Sequence, residues 1–117
     1  MLDGSVTFEW GAEAAERLSA MPEVSAVFCT ADLIAAGILA GLHKLGRRIP
    51  EDVSVVGFDN LPIAAMVYPA LTTVDQSIDD KGRRAGEMIA AALDKKAVER
   101  SVLLPTRIAE RDSVMER

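Results

Sequence analysis

The chain has 117 residues, half of them apolar and 26% charged, a composition that fits a globular domain or part of one and excludes a disordered segment. A net charge of −5 makes the chain as a whole a poor binder of polyanions, and the basic residues Lys44, Arg47 and Arg48, like Lys81, Arg83 and Arg84, read as solvated surface. One cysteine and one histidine, far apart in sequence, exclude an internal disulfide and give no basis for a metal site.

In chain order, residues 11–21 read as a helix with Ala14, Leu18 and Met21 on one face and Pro22 as its stop. Residues 24–29 are a short apolar run with β-branched members, the pattern of a strand covered on both faces, and Cys29 reads as a small buried hydrophobe. Thr30 or Asp32 supplies the cap of a second helix running to Leu45, with Ile34, Ile38, Leu42 and Leu45 as its buried stripe. Gly37 and Gly41 let that face lie close to a sheet, and Gly46 ends the helix. A turn at 47–52 leads to a second buried strand at 53–58. Residues 59–62 end that strand and start a short helix through Met66, which residues 68–70 break.

Residues 71–74 are strand-like. Ile78, Gly82, Ala85, Ile89 and Ala92 mark one face of a third long helix ending near Lys95, and residues 102–104 and 106–108 read as extended around Pro105. Helices alternating with buried strands imply an α/β fold, a parallel sheet flanked by helices and joined by right-handed crossovers. No apolar run approaches membrane-spanning length, and the first residues lack the features of a signal peptide, so the chain reads as cytoplasmic with no membrane partner.

In open α/β sheets, ligands bind beyond the carboxyl ends of the strands. Two such ends are readable, Cys29-Thr30-Ala31-Asp32 and Gly57-Phe58-Asp59-Asn60. Asp32 and Asp59 can face one cleft and accept hydrogen bonds from a small ligand. Asp32 has a second possible role as a helix cap, and Asn60 as the cap of the short helix. Phe8 and Trp10 either stack on a sugar or base or plug the core. An enzyme is not supported: His43 has no acidic partner at helical spacing, no serine sits in a nucleophile elbow, and no Gly-rich phosphate loop is present, so no cofactor is expected.

Several blocks line up with a known family. Residues 26–37 (AVFCTADLIAAG), 46–60 (GRRIPEDVSVVGFDN), 69–76 (PALTTVDQ), 82–85 (GRRA) and 107–113 (RIAERDS) resemble, in order and spacing, the C-terminal part of the effector-binding domain of LacI/GalR transcriptional regulators. The resemblance implies a two-lobed sensing domain of the periplasmic-binding-protein-like (type I) kind. A small molecule, a sugar or related metabolite, sits between the lobes, and a separate N-terminal helix-turn-helix binds operator DNA as a dimer. Residues 1–76 and 105–117 would belong to the second lobe, and residues 77–104 would supply a crossover helix and strand joining the first. The headpiece and the first lobe are absent from these residues. By position, Asp59 matches the family's ligand-binding aspartate, and Gln76 a crossover residue that lines the cleft. Ala31 stands where the family often has asparagine, and Ser5 where its cleft aromatic falls, leaving Phe8 or Trp10 as substitutes if the loop shifts.

The implied function is the ligand-sensing and dimerisation core of a repressor. The homodimer is expected to form through the helix from Asp32 and the apolar segment 61–68, so that Val67→Glu dissociates the full-length protein. The competing readings are a fragment of a periplasmic sugar-transport receptor and, less supported, an enzyme using Asp32 and Asp59. The apolar face of the helix at 77–95 lacks its lobe and is expected to drive self-association of the fragment.

Overall fold

In the computed structural model, which describes residues 1–116, the first helix begins a turn earlier than its apolar periodicity suggests. The Thr7 hydroxyl accepts a hydrogen bond from the Trp10 amide at 3.1 Å, so α1 spans Phe8–Ser19 and leaves Met21 outside it, half-buried. Strand β1 (Ala26–Phe28) and helix α2 (Asp32–Lys44) follow. Helix α2 ends where Gly46 takes φ 76°, with the Arg47 amide bonded to the Leu42 carbonyl and the Gly46 amide to that of His43. Leu45, placed on the buried stripe by periodicity, is the C-cap and is 47% exposed, because the helix stops before it can turn the side chain inward.

Strand β2 (Ser54–Phe58), helix α3 (Pro62–Met66), strand β3 (Thr72–Asp75), helix α4 (Ile78–Leu93) and strand β4 (Arg107–Ala109) complete the chain. The sheet order is β1-β2-β3-β4. The first three strands are parallel, whereas β4 returns antiparallel to β3, pairing Val74 with Ile108. The chain leaves β3 for α4 and comes back past the same end of the sheet, where the Ser77 hydroxyl donates to the Pro105 carbonyl at 3.2 Å. The sheet is therefore mostly parallel with one antiparallel edge. Residues 102–104, expected to be extended, form no strand, and Leu103 lies in solvent with no neighbouring strand to pair with.

The core lies between α1, α2 and one face of the sheet, where Ile34, Ile38, Leu39 and Leu42 of α2 meet Val53, Val55 and Leu71. Gly37 and Gly41 do not serve the sheet, as the sequence suggested. A β-carbon on Gly37 would run into the Phe8 carbonyl and lie 2.9 Å from the Ala12 amide nitrogen. One on Gly41 would lie 2.8 Å from the Ala12 carbonyl. The two glycines let α1 and α2 touch backbone to backbone. The opposite sheet face is only partly covered, contrary to strands buried on both sides. Strand β1 is an edge strand, and Phe28, packed edge-to-face against Phe58 at 6.5 Å, is 61% exposed. Ser113 closes the start of the sheet: its hydroxyl donates to the Val55 carbonyl and accepts from the Thr72 amide, entirely buried.

Helix α4 buries none of its residues and gives the molecule an elongated outline of 58 × 27 × 24 Å. No helix among the described residues is long and apolar enough to cross a membrane.

A candidate ligand cleft at the carboxyl ends of the strands

Strand β2 ends at Phe58, and the next two residues turn sharply: Asp59 has φ 114° and Asn60 φ 56°, both in the left-handed half of backbone space. This turn, the start of α3 and the crossover from β3 to α4 enclose a cavity of about 450 Å³. Asp59, Asp75, Asp79, Asp80 and Arg107 contribute its charged groups. One oxygen of Asp59, Oδ1, accepts from the Gln76 side-chain amide, whose own Oε1 accepts from Lys81. The other, Oδ2, has no partner among the described residues. Asp75 Oδ1 accepts from the Ser77 amide at 2.8 Å, and its Oδ2 lies 3.8 Å from Arg107 Nε.

Asp59 and Gln76 are thus brought together, with Asp59 on the cavity wall, whereas Gln76 is not among the lining residues and reaches the site through its bond to Asp59. Asp32 is not beside them. Its side chain is completely buried and turned away from the helix end, so the N-cap position falls to Ala31 and no side chain, Thr30 included, caps α2. Asp32 Oδ1 accepts from the Thr73 hydroxyl at 2.5 Å and Oδ2 from the Leu61 amide at 2.7 Å. Gly57 makes room for this carboxylate, since a β-carbon there would collide with Asp32 Oδ1. Asp32 is therefore neither the helix cap nor a group exposed to the cleft. Both its oxygens are committed to the protein.

Phe8 and Trp10 do not line the cavity. Phe8 opens α1, and Trp10 packs against the core with Gly4 of the N-terminal segment lying over its ring. Asn60 does not cap α3 either: the N-cap residue is Leu61, and Asn60 Oδ1 accepts from Arg111 Nη2 at 2.8 Å. Arg111 Nη1 also donates to the Leu71 carbonyl at 2.7 Å. Sequence reading missed Arg111 and Thr73, since both act on partners about 40 or more residues away. The one local signal was the polar pair Thr72 and Thr73 inside an apolar strand. Cys29 is buried as expected. Burial, and secondarily the nearby Asp32 carboxylate, push its thiol up to about 12, which keeps it protonated and unreactive at neutral pH.

This arrangement is a carboxylate-rich wall beyond a parallel sheet, suited to accepting hydrogen bonds from a ligand, and no metal-binding cluster of acids, cysteines and histidines occurs among the described residues. A family model for a periplasmic binding protein-like domain matches residues 3–114. A solved LacI family transcriptional regulator from Arthrobacter sp. FB24, in complex with lactose, is similar over 93% of this chain and 42% of that one, with a TM-score of 0.83 and 33% identity. The chain belongs to the LacI/GalR family. Among curated LacI-type relatives it is 36% identical over 118 aligned residues to the HTH-type transcriptional repressor PurR of Vibrio cholerae, covering 99% of this chain and 35% of that protein. It is 34% identical over 97 residues to the ribose operon repressor of Halalkalibacterium halodurans, covering 82% and 29%. The chain thus spans about a third of the length of these LacI-type relatives, which are transcriptional repressors rather than enzymes.

Proposed function

We propose that the chain is part of the ligand-sensing domain of a LacI-type repressor and that a small, neutral, hydroxyl-rich molecule, a sugar or related metabolite, binds at Asp59. The observation that carries this is the Asp59 carboxylate on the cavity wall, held by Gln76 on one oxygen and without a partner among the described residues on the other. A carboxylate only accepts hydrogen bonds, so it selects hydroxyl or N–H donors. The four aspartates around the cavity, against Arg107, oppose an anionic ligand such as a sugar phosphate. The lactose complex of a structural relative and the ribose operon named for a curated one support the sugar class.

In the whole regulator, residues 1–76 and 105–117 form one lobe, and residues 77–104 cross to the other. Ligand held between the lobes biases their rotation and so the affinity of a paired helix-turn-helix, outside these residues, for operator DNA. Such a regulator works in the cytoplasm as a homodimer. Leu61, Met66 and Tyr68, all exposed around α3, are its contact surface. Val67 packs against the core, so the cleaner test is Met66→Glu. It lowers the mass of the full-length protein in light scattering, and an unchanged mass removes this surface from the dimer.

The ligand site is tested by titrating the isotope-labelled chain with ribose and with lactose and following its amide NMR signals. Shifts confined to residues 59–62 and 75–80, and lost in Asp59→Asn, are expected. Shifts elsewhere, or shifts indifferent to that substitution, overturn the assignment.

A further inference from the structure

The turn that presents Asp59 is one the chain does not adopt by preference. Two consecutive non-glycine residues at φ 114° and 56° persist only where the surroundings over-determine them. The restraint comes from two charged side chains outside the cavity lining. From the α2 side, Asp32 takes the Leu61 amide on one oxygen and ties its other oxygen to Thr73 of β3. From the C-terminal side, Arg111 spreads its guanidinium between Asn60 Oδ1 and the Leu71 carbonyl. Its own amide donates to Thr72 Oγ1 at 2.8 Å, which fixes the backbone that carries the fork. Asp32 and Arg111 make no ion pair with each other among the described residues. Each charge is met by neutral groups: the Leu61 amide and the Thr73 hydroxyl for Asp32, the Asn60 side chain and the Leu71 carbonyl for Arg111.

We propose that Asp32 and Arg111 are positioning residues that clamp residues 60 and 61 from opposite sides, and so aim the Asp59 carboxylate into the cavity. The inference rests on the reading of Asp59 as the ligand-binding group. A planar fork is required at Arg111 because two acceptors lie in different directions, so lysine does not replace it. The clamp also ties the strand exit after β4 to the cleft, and a change in that segment is felt at Asp59 without touching ligand.

The experiment separates the clamp from the ligand. Loop signals are read first with no ligand present, in the 117-residue chain and in Arg111→Met. Asp32→Asn risks unfolding, so Asn60→Ala, which removes only the acceptor of the fork, is the second variant. The proposal expects the amides of Asp59, Asn60 and Leu61 and the side-chain amide of Gln76 to shift in both variants, while the methyl signals of Leu39 and Val55 stay in place. It also expects Asn60→Gly, which adopts φ 56° freely, to return the Asp59 and Leu61 signals towards their native positions in the Arg111→Met background. The dissociation constant for ribose or lactose should rise roughly tenfold in Arg111→Met, the size of effect expected when a charge-assisted hydrogen bond is lost. Unmoved loop signals in both variants overturn the clamp. Loop signals that move while the affinity for ribose and lactose is unchanged uphold the clamp and overturn the assignment of Asp59 to the ligand.

Discussion

Helices α2 and α4 both carry an apolar stripe, yet one buries eight of its thirteen residues and the other buries none. Helix α2 has α1 on one side and β2 on the other, and its helical state is sustained by packing. Helix α4 stands on local devices: Asp79 and Asp80 in its first turn meet the positive end of the dipole, and Arg83 and Arg84 bridge to Asp80 and Glu87 at helical spacing. Amphipathicity therefore identifies which face of a helix seeks a partner but says nothing about where the partner is. In α4 the face is set by Ile78, Ala85 and Ile89, and these residues reach solvent.

The largest expected effect separates the two helices directly. Leu39, 1% exposed in α2, should cost about 2–5 kcal/mol on truncation to alanine, because its transfer energy is lost and a cavity remains. Ile89, 63% exposed in α4, should change stability by less than about 0.5 kcal/mol on the same truncation. Urea denaturation of both variants measures the contrast. A large loss for Ile89→Ala would break the comparison and show that α4 is covered in solution, with a second copy of the chain as the first suspect.

Glycines sharpen the same contrast, with opposite signs. Gly37→Ala in α2 drives a methyl group against the Phe8 carbonyl and the backbone of Ala12, which can yield only if α1 and α2 separate. A destabilisation of about 1–3 kcal/mol is expected. Gly82→Ala in α4 meets nothing within 4 Å and should stabilise the helix by up to about 1 kcal/mol, through propensity alone. Thermal melting followed by circular dichroism reads both. A stabilised Gly37→Ala would mean that the two helices are not in backbone contact.

These contrasts also mark what was legible in the sequence. Every helix and strand of the fold was visible in apolar periodicity and breaker residues, because those signals are local, and only the extended stretch read at 102–104 forms no strand. The end of β2 pointed to Asp59 for the same reason: a strand that stops at a short polar residue is a one-dimensional pattern, and the family blocks pointed to Gln76 as a crossover residue at the cleft, though not to its bond with Asp59. Asp32 was misjudged because its partners, Leu61 and Thr73, lie 29 and 41 residues away, and a cap is the local reading of any acid at a helix start. Gly37 and Gly41 show the same limit. A small-residue stripe announces close approach, yet the identity of the approaching surface, α1 rather than the sheet, is a tertiary fact. Arg111 gave no local signal at all.

The smallest expected effect compares two ion-pair clusters at the surface of these same regions. In the turn before β2, Asp52 accepts from the Arg48 side chain at 2.6 Å and from the Arg48 backbone amide at 2.8 Å. These bonds hold its carboxyl down at about 2, against an ordinary value near 3.8. On α4, side-chain bonds from Arg84 and Arg83 hold Glu87 below its ordinary value, with no backbone donor involved. A carboxyl whose folded value lies below its unfolded one stabilises the fold fully above the unfolded value, and that contribution is lost as the pH falls through the folded one. For Asp52 the decline falls between pH values near 3.8 and 2, and Asp52→Asn should flatten it. Carboxyl titration by NMR should find Asp52 protonating near pH 2, with the Arg48 amide signal moving along the same curve. Raising the salt concentration should return Glu87 towards its ordinary value more than Asp52, because salt screens exposed charge pairs while a hydrogen bond from a fixed amide persists. Equal salt responses would mean that the Arg48 amide contributes nothing, and that the turn before β2 is held no more firmly than the exposed face of α4.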